Sequence, residues 1–376
     1  MPSMKKNNQI CPTVSIICRT YNQERYIRQT IQSVLNQTIS NWELIVINDA
    51  STDNTESEIL SFDDERIKYI RNEKNLGPLA GLNIGIAASS GKYITILDGD
   101  DLFCSEKLEI QSKFLDDNPK YGAVFSYIDV IDENGNPLNS ADAQIIRNLI
   151  NNPGGTREQM LRRAFNEYNF LAFPTEMFRK DIAIHFNAHL LSCGDGWFHL
   201  NTLMQTQIAV LEIPLTKYRI IGHNVNVSGW VSGLTDISEK FFMLDKFLEI
   251  NSATFFKKIF ADDIGDRKFS KSDIPFIMIE IAGASNDPIK KLWANYTFHR
   301  LVSNPDTYTD FIKNKKYPEF MQYKLGDVSG RNLRLVPNID VIRSKHKKYR
   351  RLFNWTATAL GMCIVVIVIL LVRHGL

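Results

Sequence analysis

Three short polar runs carry the residues most able to do chemistry. Arg19, Thr20, Tyr21 and Asn22 follow one apolar, β-branched run, Asn48, Asp49, Ala50 and Ser51 a second, and Asp98, Gly99, Asp100 and Asp101 a third. Carboxylates one residue apart after a buried strand project from a fixed edge, where one or two of them plus phosphate oxygens can hold a hard divalent cation. That suits a nucleotide diphosphate. Alone, an acidic turn such as Asp98 to Asp101 is more often a solvated helix cap. In an open parallel sheet, however, ligands gather beyond the carboxyl ends of the strands, and here three polar strand ends converge on one crevice. RTYNQE stands after the first strand in place of a glycine-rich fingerprint, which argues against a hydride-transferring dinucleotide enzyme, and no Walker-type loop occurs. His185, His189, Cys193 and His199 invite a zinc reading, but no HExxH or CxxC spacing supports one.

The elements that must position these residues alternate as βα units. Strands are predicted at Thr13 to Cys18, Trp42 to Ile47, Ile67 to Arg71, Tyr93 to Leu97 and Ala123 to Ile128. Helices fall between them, around Glu24 to Asn36 with Ile27, Ile31, Val34 and Leu35 on one face, then Leu79 to Ala88 and Lys107 to Leu115. A mixed region follows Pro153, with an apolar run near Ile208 to Ile213 and the segment LTKYRIIGHN. Beyond Gly233 the pattern becomes helical, as in ISEKFFMLDKFLEI and KKLWANYTFHRLV.

The chain has 376 residues, 44% of them hydrophobic, and five scattered cysteines that imply neither a disulfide framework nor a zinc module. Its net charge of +2 conceals an asymmetry. From Val341 onward there are seven Lys or Arg and no acid, leaving 37 cations against 42 acids in residues 1–340. A weakly acidic body argues against general nucleic-acid binding. The basic run ends at Arg351 and is followed by 21 uncharged, largely apolar residues, Leu352 to Val372, long enough at ~1.5 Å per residue to cross a hydrocarbon core. The expectation is a single-pass C-terminal membrane anchor with the body in the cytoplasm, since Lys and Arg accumulate on that side and MPSMKKNNQI has no apolar core of a signal peptide. The upstream cations would also attract anionic lipid.

At this point the residues resemble a known family. VSIICRTYNQERYIRQTIQSVLNQTISNWELIVINDASTD, then NEKNLGPLAGLNIGIAASSGKYITILDGDD, is similar to the nucleotide-binding half of family 2 glycosyltransferases of the GT-A fold, with TYN, NDAS, NLG, a DxD-type DGDD, a late acid and YR before His223 in order. The resemblance implies an α/β, Rossmann-like, mostly parallel sheet with crossover helices. The division expected is an extension at 1–12, the transferase domain at 13–230, a helical appendage at 231–340, a polybasic segment at 341–351 and the membrane helix at 352–372.

It also implies roles. Thr20 and Tyr21 would flank the base or ribose, Asp49 would hydrogen-bond the base and Asn75 approach it, Asp98 would lie near the ribose or sugar, and Asp100 would bind a divalent metal, Mn²⁺ or Mg²⁺, bridging the diphosphate. In SCGDGWFHL, Asp195 would be the general base, and His223 a metal or phosphate ligand. Three positions depart from the family pattern: Asn48 and Gly194 where an acid is often found, and Leu82 where an arginine often stands. The implied activity is inverting transfer of one sugar from a nucleotide diphosphate donor, a UDP-sugar, to a hydroxyl of a membrane-associated, lipid-linked or cell-envelope glycan. A non-catalytic nucleotide-sugar-binding scaffold at the membrane is the competing reading, supported by Leu82 and Gly194 and opposed by Asp49, Asp98, Asp100 and Asp195.

Overall fold

The computed structural model describes residues 12–182, 186–221 and 233–303. The described residues up to Phe298 belong to one compact unit; a second begins at His299, of which 299–303 are described.

Strand β1 (Val14–Thr20) is the spine of the sheet. Its residues are buried except for partly exposed Arg19, because helices cover both faces and a strand so placed must be apolar throughout. It pairs in parallel with β2 (Trp42–Asn48) on one side and β4 (Tyr93–Asp98) on the other, and β3 (Ile67–Arg71) extends the sheet beyond β2. The register sets Thr20 opposite Asn48 and Arg19 opposite Asp98, so the polar run after each strand emerges on the same edge. Helix α1 (Ile27–Leu35) buries Ile27, Ile31 and Val34 at helical spacing. After α2 (Thr55–Leu60), helix α3 (Pro78–Ala88) lies so close to the sheet that a Cβ on Gly85 would stand 2.3 Å from Ile17 Cγ2.

Beyond β4 the sheet stops being parallel. Two-residue β5 (Leu102–Phe103) and α4 (Lys107–Asp117) follow the acidic run, then β6 (Tyr121–Ile131), α5 (Ala141–Ile150), α6 (Arg157–Glu167), β7 (Met177–Arg179), α7 (Gly194–Gln205) and β8 (Gln207–Arg219). The spatial order is β3-β2-β1-β4-β7-β6-β8-β5, with β7 antiparallel to both β4 and β6, and β5 antiparallel to β8. The sheet is therefore mixed where sequence periodicity points to a mostly parallel one. Three-residue β7 is too short to leave a period, and β8 carries register shifts against β6 around Pro214 that break its alternation.

The helices α8 (Gly233–Lys246), α9 (Ala253–Ile259), α10 (Ala261–Ile264), α11 (Ile274–Ala284) and α12 (Pro288–Val302) come last. They join the body through aromatic edges: Phe165 of α6 meets Phe247 at 5.6 Å and Phe260 at 5.3 Å between centroids, both nearly perpendicular. Among the described residues no helix is long and apolar enough to cross a membrane; 352–372 lies outside them.

Candidate active site

The strand-end residues meet at the carboxyl edge of β1, β2 and β4. Thr20 is buried, its hydroxyl donating to Gln23 Oε1 at 2.9 Å, whereas Tyr21 is 46% exposed and free to offer a ring face at the mouth. Asn22 holds the turn in a left-handed conformation, φ 52°, and its side-chain oxygen accepts from the Thr52 amide at 2.8 Å, tying the first strand end to the second.

Asp49 is buried and organises the loop that carries Asn75. Its carboxylate accepts from Asn72 Nδ2 at 2.7 Å, from the Leu76 amide at 2.9 Å and from the Gly77 amide at 2.9 Å. Asn75 Oδ1 also accepts from the Gly77 amide, at 3.0 Å, and Gly77 needs its glycine because φ there is +85°. Leu82 is fully buried in the packing of α3, so no nucleotide contact comes from that position.

The third strand end is the electrostatic centre. Arg19 Nε donates to Asp98 Oδ1 at 2.5 Å. Asp101 is buried, accepting the Arg219 backbone N–H on Oδ1 at 2.8 Å and leaving Oδ2 without a partner. Burial and the neighbouring Asp100 and Asp98 hold its carboxyl well above the usual range. Asp100 is pushed up to about 6 by burial and by Asp98. No side-chain hydrogen bond holds its carboxylate among the described residues, so within the run it is the group open to a ligand. Gly99 must be glycine, since a Cβ there would lie 2.2 Å from Gln23 Oε1 and 2.8 Å from Thr20 Oγ1.

Arg219, at the end of β8, pins this loop. Its Nε donates to the Asp100 carbonyl at 2.6 Å, Nη1 to the carbonyls of Asp132 and Glu133 at 3.0 Å, and Nη2 to Gln29 Oε1 at 2.9 Å. In sequence, Tyr218 and Arg219 read as packing and ion-pair residues as readily as site residues, and these contacts give Arg219 a structural role at the end of β8.

Asp195 stands in the first turn of α7, where the helix dipole favours an acid. Burial raises its pKa, while Arg19 lowers it and Asp98 raises it, which puts Asp195 within electrostatic reach of the Arg19–Asp98 pair. Gly194 is explained by packing, for a Cβ would meet Leu79 Cδ1 at 2.3 Å. Four residues on, His199 lies with Nε2 3.3 Å from Glu176 Oε2, edge-on to Phe125 and Phe173. Burial pushes His199 down to about 3 and Glu176 well up, the latter opposed by the charge of Lys107. His185 and His223 lie outside the described residues.

A cavity of about 380 Å³ lined by Arg157, Asn201, Lys246 and Phe255 opens at the other end of α7, where Arg157 donates to the Leu203 and Met204 carbonyls.

The described structure thus gathers Thr20, Tyr21, Asp49, Asn75, Asp98 and Asp100 along one edge and brings Asp195 within electrostatic reach of it. The family model described as glycosyl transferase family 2 matches residues 15–186, the stretch that supplies every one of these but Asp195. An uncharacterized glycosyltransferase of Methanocaldococcus jannaschii is 30% identical over 216 residues, 56% of this chain and 71% of its own length. The chain belongs to glycosyl transferase family 2.

Other relatives match over shorter shares. The Escherichia coli protein WfgD, named as a UDP-Glc:alpha-D-GlcNAc-diphosphoundecaprenol beta-1,3-glucosyltransferase, is 46% identical over 98 residues, 26% of this chain and 39% of its own. The chain spans 19% and 39% of the length of two other curated relatives, uncharacterized glycosyltransferases of Rickettsia bellii and Haemophilus influenzae. Among solved structures, Staphylococcus aureus TarS 1-349 in complex with UDP-GlcNAc superposes with a TM-score of 0.55 at 18% identity, covering 81% of this chain and 92% of that one. At that identity the likeness is one of fold.

Proposed function

We propose that this transferase is an inverting GT-A enzyme that moves one sugar from a UDP-sugar to a hydroxyl of a lipid-linked or cell-envelope glycan. The observation that carries the reading is the register of β1, β2 and β4, which delivers Thr20, Asp49, Asp98 and Asp100 to one edge with Asp195 reaching the same charge cluster from α7. In transfer, Asp195 takes the proton of the acceptor hydroxyl as its oxygen attacks the anomeric carbon, and the bond from that carbon to the diphosphate oxygen breaks on the opposite face. Asp49 holds the Asn75 loop against the base, and Tyr21 offers it a stacking face.

The donor set fits a divalent cation shared with substrate. Four carboxyl groups, Asp98, Asp100, Asp101 and Asp195, stand near two arginines, Arg19 and Arg219, and burial followed by the Asp98 charge raises the pKa of Asp100. Among the described residues no group of three acid, histidine or cysteine ligands forms a cage. One carboxylate plus phosphate oxygens is the usual way such a cation is bound beside a diphosphate. Asp100, with His223 as a further ligand, would hold Mn²⁺ or Mg²⁺, which when bound would neutralise the departing diphosphate.

Calorimetry on the full chain with UDP, GDP and TDP, each with Mn²⁺, Mg²⁺ or chelator, tests this. UDP is expected to bind with metal and to lose at least about tenfold in affinity with chelator, and Asp100→Asn is expected to remove that metal dependence while leaving the melting temperature unchanged. Binding of no nucleotide, or metal-independent binding in both proteins, would sink the donor assignment. Binding without turnover of any nucleotide sugar would favour the scaffold.

The acceptor assignment draws on the apolar segment 352–372 behind its basic block, and on WfgD, whose name specifies a diphosphoundecaprenol acceptor. A domain tethered beside a bilayer meets membrane-embedded acceptors at high effective concentration. The full chain should stay with membranes after alkaline carbonate washing, and a chain ending at residue 340 should be released. Release of both would remove the anchor from the proposal.

A further inference from the structure

The first turn of α7, which carries Asp195, is held by the C-terminal helices. Glu239 of α8 is 97% buried, with 3% of its surface exposed, and its carboxylate accepts from three consecutive backbone amides just ahead of α7. Oε1 accepts from Leu191 N at 2.7 Å; Oε2 accepts from Ser192 N at 2.7 Å and from Cys193 N at 2.8 Å. Successive N–H groups converging on one point form an anion-binding nest, and here the anion is supplied by the chain itself. Charge-assisted bonds of this kind are short and directional. One turn earlier on α8, Asp236 accepts from the Ser192 hydroxyl at 2.9 Å and is itself paired with Lys240 at 2.7 Å.

A second contact grips the same turn from the other side. Gly196 abuts Tyr168, whose carbonyl would lie 3.0 Å from a Cβ at that position. Tyr168 holds φ at +65°, which a bulky residue keeps only where its surroundings impose it. Its hydroxyl donates to Asp287 Oδ2 at 2.7 Å, and Lys290 of α12 bonds the same carboxylate at 2.9 Å while lying 4.8 Å from the Tyr168 ring centroid. With Gly194 against Leu79 in addition, the segment SCGDG has little freedom to reorient.

We propose that Glu239 is a positioning residue for transfer: by filling the nest of Leu191, Ser192 and Cys193 it fixes the direction of the first turn of α7 and hence of Asp195. The helices after residue 233 are then part of the reaction site rather than an appendage to it. The inference rests on Asp195 being the base. The donor edge is built on β1, β2 and β4, so loss of Glu239 should separate turnover from donor binding. Reacting groups displaced by about 1 Å lose on the order of a hundredfold in rate.

The test uses the full chain with Glu239→Gln, Glu239→Asp and Glu239→Ala. In Glu239→Gln an amide N–H₂ faces backbone donors, and amide exchange over residues 191–197 is expected to quicken at least about tenfold while that of β1 and β4 stays as in the parent. UDP affinity with Mn²⁺ should hold within about twofold, and UDP release from UDP-glucose should fall about a hundredfold in kcat with KM unchanged. Glu239→Asp should recover part of kcat, and acetate should restore both protection and turnover to Glu239→Ala by occupying the nest, a rescue that a purely structural role would not give. Parental exchange over 191–197 in Glu239→Gln, parental kcat despite lost protection, or a loss of UDP affinity in step with kcat would each overturn the proposal. Normal transfer by Asp195→Asn would instead remove the base assignment, leaving the exchange result for Glu239 standing on its own.

Discussion

Asp195→Asn is expected to lower kcat by roughly 10²- to 10⁴-fold, the usual worth of a positioned general base, while UDP binding with Mn²⁺ is retained. Amide and carboxylate are nearly the same shape, so α7 and the Glu239 nest stay in place. The pH dependence follows from the environment of the carboxyl. Burial raises the Asp195 pKa, with Arg19 partly offsetting it, so the base becomes available only above the ordinary aspartate range. Activity should therefore rise with pH along an acid limb displaced upward from about 3.9, and Arg19→Gln should move that limb higher still. The stability consequence has the opposite sign to that of a paired aspartate. A carboxyl whose folded pKa is raised favours the folded state below its unfolded pKa, and that contribution is lost as pH rises through the folded value. At neutral pH, Asp195→Asn should melt no lower than the parent and activity alone should suffer. A variant that keeps parental transfer, or loses UDP binding together with transfer, would dismiss Asp195 as the base.

Arg219→Met is expected to cost about 3–5 kcal/mol of unfolding free energy, the range found when one partner of a buried charge cluster is removed. The arginine is 4% exposed and donates side-chain hydrogen bonds to four acceptors on three segments: Asp100, Asp132 with Glu133, and Gln29. Methionine fills much of the volume but leaves those oxygens unpaired, and it removes the cation facing Asp100 and Asp101. The Asp98 to Asp101 loop would lose both its pin and part of its charge balance. Urea unfolding should show the loss of stability, and calorimetry a parallel loss of metal-dependent UDP binding. Arg219→Lys should recover only part of either, because one ammonium cannot reproduce the planar fork. A shift below 1 kcal/mol in Arg219→Met would show that the loop is held by other means.

The parallel half of the sheet was legible because buried strands leave continuous β-branched runs, as in TVSIIC, WELIVI and YITIL, and because helical spacing marks Ile27, Ile31 and Val34 on α1. The candidate residues on β1, β2 and β4 were legible for the same reason, since each follows directly from where a strand must end. Neither β7 nor the course of β8 could be read this way, one being three residues long and the other irregular around Pro214. Glu176 and His199 look unremarkable in sequence, and only packing brings them together in the core, with His199 edge-on to Phe125 and Phe173. Gly194 and Leu82 first stand out as departures from a family pattern, and the structure gives each a steric reason.

Sequence by itself determined the βα alternation, the strand-end acids and the family, because these are local: periodicity, turn chemistry and motif order lie along the chain. Tertiary structure decided which of those acids face arginines, which one stays open to a ligand, and how Glu239 comes to hold the turn bearing Asp195 across 44 residues of chain. Those outcomes depend on burial and on hydrogen bonds between distant segments: the arginine contacts join β1, β4 and β8, and the Glu239 contacts form only when α8 packs against α7.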